Sequence, residues 1–188
     1  MKKQAVTGII LAGGASRRMG MDKGLCNFNG KELVRYSIDL LLPICNNLLI
    51  SSNNEALYSK FGYPIIVDAH KNIGPLGGIY SCLKQSATTD NLVLSCDMPF
   101  LSSELLRTVL SLSESYDIVV PQHNNSYLEP LAAYYSVSII PIIEESIAND
   151  DFKLINLFNK VRTKIVMVED DLGSIKQFKN FNTPQDLL

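Results

Sequence analysis

A glycine-rich segment near the amino terminus carries residue types suited to phosphate chemistry. An apolar run over residues 6–11 is followed by two glycines, two arginines and a lysine, namely Gly13, Gly14, Arg17, Arg18 and Lys23. Adjacent glycines let backbone N–H groups converge on an anion, and the three cations neutralise a polyphosphate. The spacing matches neither the Walker A loop nor the dinucleotide-binding fingerprint. We therefore predict a polyphosphate site of another kind, the alternative being a glycine turn with solvated arginines.

Isolated acidic residues follow two later apolar runs of strand length. Asp68 comes directly after residues 64–67, and Asp97 directly after residues 91–96. A carboxylate at the end of a buried strand suits Mg²⁺, which takes one or two carboxylates together with phosphates and water. Asp97 is therefore the candidate metal ligand, and capping of the next helix is the alternative.

The elements that must position these residues alternate along the chain. Predicted strands span residues 6–11, 47–51, 64–67, 91–96, 117–120, 131–135 and 164–168. Predicted helices span residues 32–42, 55–61, 76–85, 102–111 and 138–148, with a terminal helix from Thr183. Apolar strands separated by helices indicate an α/β fold with a doubly wound, mostly parallel sheet, mixed at its later strands. Ligands bind at the carboxyl ends of such strands. Residues 149–161 are the least regular, and we predict a mobile loop there.

The length and net charge of the chain indicate how many domains it has and which partners are excluded. The chain has 188 residues, 17 Lys and Arg against 19 Asp and Glu, and a net charge of −2. This length predicts one domain over residues 1–188, and the near-neutral charge argues against a nucleic-acid partner. No apolar run reaches the ~20 residues of a membrane helix. We recognise no targeting segment, so we expect a cytoplasmic protein without a membrane partner.

Cysteines and histidines show no pattern for metal binding or nucleophilic catalysis. The four cysteines are spread along the chain: Cys26, Cys45, Cys82 and Cys96. We expect reduced, mostly buried thiols, because a zinc site needs closer ligand spacing. His123 is interpreted as a loop residue of structural role, whereas His70, close after Asp68, is a weaker candidate for ligand contact.

Six segments stand in order along the chain: L-A-G-G-A-S-R-R-M-G-M-D-K at 11–23, V-D at 67–68, G-P-L-G-G-I at 74–79, S-C-D-M-P-F at 95–100, E-P-L at 129–131 with Tyr134, and N-F-N-T-P at 180–184. Together they resemble the molybdenum cofactor guanylyltransferases, a family of nucleotidyltransferases. The resemblance covers about residues 6–188. It implies a three-layer, Rossmann-like nucleotidyltransferase domain whose N-terminal half binds the nucleotide and whose C-terminal half faces the pterin acceptor.

The resemblance also implies an activity. In this family the terminal phosphate of molybdenum-loaded molybdopterin attacks the α-phosphate of GTP, which forms molybdopterin guanine dinucleotide and pyrophosphate with Mg²⁺ as cofactor. Such a transfer depends on positioning and charge neutralisation. Transient contacts with other proteins of molybdenum cofactor biosynthesis are implied as well. Two other functions remain open: cytidylyl or other nucleotidyl transfer to a phosphorylated substrate, and a nucleotide- or pterin-binding module without turnover.

Individual roles follow from the resemblance. The implied catalytic residues are Lys23 at the α-phosphate, Arg18 at the β- and γ-phosphates, and Asp97 as the Mg²⁺ ligand. The implied nucleotide-binding residues are Leu11, Ala12, Gly13, Gly14, Arg17, Lys23, Ser51, Asn53, Asp68 and Asp97. The implied acceptor-side residues are Gly77, Gly78, Lys153, Asn180 and Asn182.

Three positions bear on specificity. Gly13 stands where cytidylyl-transferring relatives carry alanine, and the missing methyl leaves room for a purine, which implies GTP. Ser51 stands where the family often has asparagine, so that contact falls either to Ser51 or to Asn53. Lys153, after an acidic pair, stands in place of a family Gly-Arg pair that faces the pterin.

Overall fold

The computed structural model describes residues 5–13, 22–123, 126–168 and 175–187, which contain an eight-stranded mixed sheet covered by helices. The strands are β1 Val6–Leu11, β2 Asn27–Phe28, β3 Lys31–Glu32, β4 Asn47–Ser51, β5 Ile65–Ile66, β6 Asp90–Ser95, β7 Ile118–His123, β8 Tyr127–Leu128, β9 Ala132–Ser136 and β10 Thr163–Met167. Strands β2 and β3 form a separate antiparallel hairpin, and the others build the sheet.

The helices begin at local sequence signals. They are α1 Leu33–Leu41, α2 Glu55–Tyr58, α3 Pro75–Gln85, α4 Ser103–Ser111, α5 Ile140–Ala148 and α6 Leu154–Leu157. Helix α3 starts with proline at its first position, where the missing N–H costs nothing. Helix α4 starts after Ser102, whose hydroxyl accepts a hydrogen bond from the N–H of Leu105. Among the helices of the described ranges, none has the length and apolarity needed to cross a membrane.

The strand order brings several carboxyl ends to one edge of the sheet. The order is β10-β7-β9-β6-β1-β4-β5, with β8 beside β7. Strand β1 pairs in parallel with both β4 and β6, and β4 pairs in parallel with β5. Strand β9 runs antiparallel to β6 and β7. The prediction of a mostly parallel sheet, mixed at its later strands, is confirmed.

Helices cover both faces of the sheet, so the domain has three layers. Neighbouring residues of β1 point to opposite faces, as Ile9 and Ile10 do, and each is fully buried. Ile10 belongs to the apolar cluster that includes α1 and α4, whereas Ile9 belongs to the cluster that includes α3, α5 and α6. Burial on both faces explains why the strands read as continuous apolar runs.

Some element predictions need correction. The predicted irregular loop over residues 149–161 is interrupted by the short helix α6, whose Leu154 and Leu157 are buried. The predicted terminal helix is a single 3₁₀ turn, Pro184–Leu187. The hairpin of β2 and β3 and the short β8 were not predicted. The other predicted elements occur within three residues of their expected ends.

Candidate active site

The site lies where β1, β4 and β6 end side by side. Leu11 is in register with Ser51 on one side and with Ser95 on the other. The pairing continues beyond the strands, because the N–H groups of Ala12 and Gly13 donate to the carbonyl oxygen of Ser51 at 2.9 and 3.0 Å. Residues that follow β4 and β6 are therefore held on the two sides of the chain that leaves β1.

On the β6 side, three polar side chains from distant parts of the chain converge. The Nζ atom of Lys23 donates to Oδ2 of Asp97 at 2.8 Å and to Oδ1 of Asn182 at 2.7 Å. The side chains of Lys23 and Asp97 are only 20% and 11% exposed, so the ion pair is partly shielded from water. A cation, a carboxylate and an amide oxygen therefore share one small volume at the edge of the sheet.

Local contacts orient Asp97 within this cluster. The hydroxyl of Ser95 donates to Oδ1 of Asp97, and the N–H of Phe181 donates to its backbone carbonyl at 2.9 Å. The ring of Phe181 is buried and contacts Phe28 and Phe100 with centroid distances of 4.7 and 5.6 Å. The unpredicted hairpin thus supplies Phe28 to the aromatic cluster that docks the C-terminal segment beside Asp97.

On the β4 side, Asp68 joins the two residues that the sequence left as alternatives. Ser51 Oγ donates to Asp68 Oδ1 at 3.3 Å, and Asn53 Nδ2 donates to Asp68 Oδ2 at 3.1 Å. The N–H of Asp68 also donates to Oδ1 of Asn53 at 3.2 Å. Ser51 is buried and Asn53 is exposed. Both side chains therefore contact Asp68, and Asn53 is the one that faces solvent.

The glycines of the site have different packing environments. A Cβ atom on Gly77 would lie 2.8 Å from the backbone oxygen of His70, and one on Gly78 would lie 2.5 Å from Ser51 Oγ. Both positions need glycine for packing of α3. A Cβ atom on Gly13 would meet its nearest described neighbour, Ser52 Cα, at 3.5 Å, an ordinary contact. Packing within the described residues therefore does not require glycine at position 13.

Comparison with known proteins identifies the family. The family model of the MobA-like NTP transferase domain matches residues 8–162. The chain belongs to this family. It is therefore a nucleotidyltransferase, and Lys23 and Asp97 lie within the matched range, whereas Asn182 lies beyond it.

Relatives of this MobA-like chain match over nearly its whole length. It is 38% identical to the probable molybdenum cofactor guanylyltransferase of Pelotomaculum thermopropionicum, over 97% of this chain and 90% of that protein. It is 34% identical to the molybdenum cofactor guanylyltransferase of Vibrio vulnificus, over 95% and 91%. The crystal structure of molybdopterin-guanine dinucleotide biosynthesis protein A from Archaeoglobus fulgidus superimposes with a TM-score of 0.81 at 28% identity, covering 96% and 94%.

A metal ion in this MobA-like site would find oxygen ligands. Mg²⁺ prefers oxygen atoms and commonly binds through one or two carboxylates plus substrate phosphates. Asp97 Oδ2 and Asn182 Oδ1 both contact Lys23 Nζ, so two oxygens of suitable type lie close together. In the described ranges no three His, Cys, Asp or Glu residues cluster as a metal cage. The donor set therefore fits a Mg²⁺ held jointly by Asp97 and phosphate oxygens.

The structure does not bring every predicted residue to the cluster. Gly14, Arg17 and Arg18 lie outside the described residues. Asn180 is directed to its own segment, with Nδ2 donating to the carbonyl of Phe178 at 3.3 Å. Lys153 is exposed just before α6, on the face of the sheet that α3 and α5 cover.

The cysteines are free and mostly buried, as predicted from the sequence. All four cysteines are free; Cys45 is half-buried and the other three are buried. Burial raises the pKa of Cys45 and Cys82 to about 12, and it also raises the pKa of Cys96, the neighbour of Asp97. A raised pKa keeps these thiols protonated at neutral pH, and a protonated thiol is a weak nucleophile.

Sequence reasoning missed a buried histidine–carboxylate pair near the cluster. The expectation of a loop histidine is wrong, because His123 ends β7, is buried, and has Nε2 2.8 Å from Oε1 of Glu129. Its ring stacks on Phe178 with a centroid distance of 4.5 Å. Burial is the largest cause of the raised pKa of Glu129, and the charge of Asp97 adds to it. His123 therefore anchors the segment that carries Asn182; the pairing joins residues six apart across a turn, which apolar periodicity does not reveal.

Proposed function

We propose that this protein transfers GMP from GTP to molybdenum-loaded molybdopterin, which yields molybdopterin guanine dinucleotide and pyrophosphate. The convergence of Lys23, Asp97 and Asn182 at the carboxyl edge of the sheet is the observation that carries the proposal. The relatives at 34% and 38% identity named as molybdenum cofactor guanylyltransferases support this choice of donor and acceptor.

The reacting phosphate lies on the β6 side of the site. Lys23 Nζ neutralises negative charge that develops at the α-phosphate when the acceptor phosphate attacks. Asp97, together with phosphate oxygens, would hold Mg²⁺, and the bound ion would supply further charge neutralisation. Asn182 orients the Lys23 ammonium group through the 2.7 Å hydrogen bond and brings an amide to the reacting groups. Arg17 and Arg18 remain predicted contacts of the β- and γ-phosphates.

The nucleoside of GTP lies on the β4 side. Asn53 is exposed and is held by reciprocal hydrogen bonds with Asp68, so its position is fixed before the ligand binds. Gly13 lies beside the backbone of Ser52 and Asn53, and its missing methyl leaves space for a purine. Packing within the described residues does not require glycine there. This combination supports GTP over CTP.

The remaining assignments follow from the same proposal. Molybdopterin lies against the C-terminal half of a domain spanning residues 1–188, through Lys153, Asn180 and Asn182. The α3 glycines Gly77 and Gly78, from the N-terminal half, complete the acceptor side. Delivery of the product involves transient contacts with other proteins of molybdenum cofactor biosynthesis. The protein acts in the cytoplasm, and this location remains a prediction from the sequence.

Nucleotide-dependent transfer tests the proposal directly. The purified protein is incubated with Mg²⁺, molybdenum-loaded molybdopterin and GTP, CTP, ATP or UTP in turn, and pyrophosphate and the dinucleotide product are measured. We expect pyrophosphate and the guanine dinucleotide with GTP, and neither without the pterin. A preference for CTP would reject the base assignment. Nucleotide binding without transfer to the pterin would reject the enzymatic function in favour of a binding module.

A further inference from the structure

A buried tyrosine lies beneath Lys23 and reaches the end of β1. Tyr58 ends α2, and its side chain is completely buried. Its hydroxyl lies 3.2 Å from the carbonyl oxygen of Ala12 and also donates to Oδ1 of Asp22. A hydroxyl has one proton to donate, and a carboxylate is the stronger acceptor. Tyr58 thus connects the residue after β1 with the residue before Lys23.

Asp22 passes this constraint to the turn that carries Lys23. Residues Lys23–Leu25 form a 3₁₀ turn, and Asp22 caps it, because Oδ1 of Asp22 accepts the N–H of Gly24 at 3.1 Å. The same oxygen accepts the hydrogen bond from Tyr58. A capping side chain that is itself held in place restricts the direction in which the turn presents its residues. Here the residue presented toward Asp97 and Asn182 is Lys23.

Gly24 lets the tyrosine approach the turn this closely. A Cβ atom at this position would lie 2.4 Å from the hydroxyl oxygen of Tyr58 and 3.4 Å from Sγ of Cys96. The turn is therefore pressed between Tyr58 and Cys96, the residue directly before Asp97. Burial raises the pKa of Tyr58, so its hydroxyl keeps its proton. The packing and the hydrogen bonds set the position of Lys23 relative to Asp97.

We propose that Tyr58 is a positioning residue for nucleotidyl transfer: through Asp22 it fixes the turn that aims Lys23 at the reacting phosphate. The role rests on the function proposed above for Lys23. Tyr58 itself is too buried to touch a substrate, so it acts through the hydrogen bond to Asp22. Its removal should misplace the Lys23 ammonium group while leaving the sheet and its apolar cores intact.

The test compares two buried tyrosines that differ in location. Tyr58→Phe removes the hydroxyl and keeps the ring. Tyr134→Phe is the matched control, because Tyr134 is also buried and its hydroxyl donates to the carboxylate of Asp90 at 2.6 Å, where β6 begins at the opposite end from Asp97. We expect Tyr58→Phe to lower kcat for GTP at least about tenfold, the effect of a lost hydrogen bond to a charged group. Tyr134→Phe should leave kcat within about twofold of wild type while lowering Tm, because its lost hydrogen bond lies outside the site.

Variants of Asp22 separate positioning from general destabilisation. Asp22→Asn keeps the Oδ1 acceptor for Tyr58 and Gly24, so it should retain most of the activity. Asp22→Ala also removes the cap on Gly24, so it should lose at least as much activity as Tyr58→Phe. The double variant Tyr58→Phe with Asp22→Ala should be no slower than the slower single variant, because both changes break one connection. Additive losses, or wild-type kcat in Tyr58→Phe, would overturn the role. If Tyr58→Phe does not fold, the kcat values of Asp22→Asn and Asp22→Ala test the role instead. Equal kcat values in these two variants would overturn it.

A readout without turnover keeps this role distinct from the proposed function. The N–H of Gly24 is hydrogen-bonded to Asp22, so its hydrogen exchange, followed by NMR, should accelerate at least about tenfold in Tyr58→Phe and stay unchanged in Tyr134→Phe. Unchanged exchange at Gly24 would reject the connection. Absence of GMP transfer by the wild-type protein would instead reject the proposed function, whatever the exchange shows.

Discussion

The ammonium group of Lys23 lies 2.8 Å from a carboxylate oxygen of Asp97, although 74 residues separate them in the chain. The contact exists because β1 and β6 are neighbours in the parallel part of the sheet and end in register. It joins the cation predicted to act on the α-phosphate to the carboxylate predicted to hold the metal.

Loss of the Asp97 charge should abolish most of the transfer. Asp97→Asn keeps the size of the side chain but removes the negative oxygen that suits Mg²⁺, so we expect kcat to fall by about 10²–10³-fold, the scale of losing one electrostatic catalytic contact. Pyrophosphate release across a Mg²⁺ titration measures the effect. Asp39→Asn is the control, because Asp39 is a surface residue of α1 paired with Lys31. Equal activity of the two variants would refute the role of Asp97.

A methyl group at position 13 should change base preference more than stability. In Gly13→Ala the new Cβ makes an ordinary 3.5 Å contact with Ser52, so Tm should stay close to that of wild type. If a purine occupies the space above Gly13, kcat/KM for GTP should fall about tenfold or more, as when one contact of a fitted pocket is disturbed. The measurement is kcat/KM for GTP and CTP side by side. An unchanged ratio would speak against purine recognition at this glycine.

Gly77→Ala, in contrast to Gly13→Ala, should lower stability and leave base preference unchanged. Its Cβ would lie 2.8 Å from a backbone oxygen of His70, which cannot move away as a side-chain end could. We expect a loss of about 1–3 kcal/mol in the free energy of unfolding, as for other overpacked sites. Urea unfolding followed by circular dichroism measures it, and the ratio of kcat/KM for GTP and CTP should remain that of wild type. A fully stable Gly77→Ala protein would contradict the packing described for α3.

Acid should remove a stabilising contact at the far end of the sheet. Arg162 donates to Asp117 through Nε at 3.0 Å and through an Nη at 3.1 Å, and these hydrogen bonds lower the pKa of Asp117 below its ordinary value of 3.8. A lowered pKa means that the pair stabilises the fold fully above pH 3.8 and loses this effect as the pH falls through the lowered value. Because Arg162 is largely exposed, water screens the ion pair and its contribution to the free energy of unfolding is small.

The matching experiment compares wild type with Arg162→Gln across pH. We expect Arg162→Gln to unfold at a lower urea concentration at pH 7, and the difference from wild type to shrink as the pH drops below 3.8. Lys164→Gln, in the adjacent strand β10, serves as the control for loss of one positive charge. A difference that persists unchanged at acid pH would mean that Asp117 is not the partner responsible.

Much of the architecture followed from local patterns in the sequence. The apolar runs of β1, β4 and β6 and the patterns of α3 and α4 are short-range signals, and each of these elements begins and ends within one residue of its predicted span. The placement of Asp68 and Asp97 after strand ends was equally local. Since parallel strands share an edge for their carboxyl ends, these signals predict a site at that edge.

Only the tertiary structure decided which side chains meet there. The contacts of Lys23 with Asn182, of Tyr58 with Asp22 and of His123 with Glu129 depend on chain packing that residue periodicity does not encode. The same holds for Gly13 and Gly77, which look alike in the sequence but differ in what surrounds them. Residue types and local order thus determined the class of fold and of chemistry. The packing of distant segments determined the geometry, because each contact depends on where the rest of the chain has already been placed.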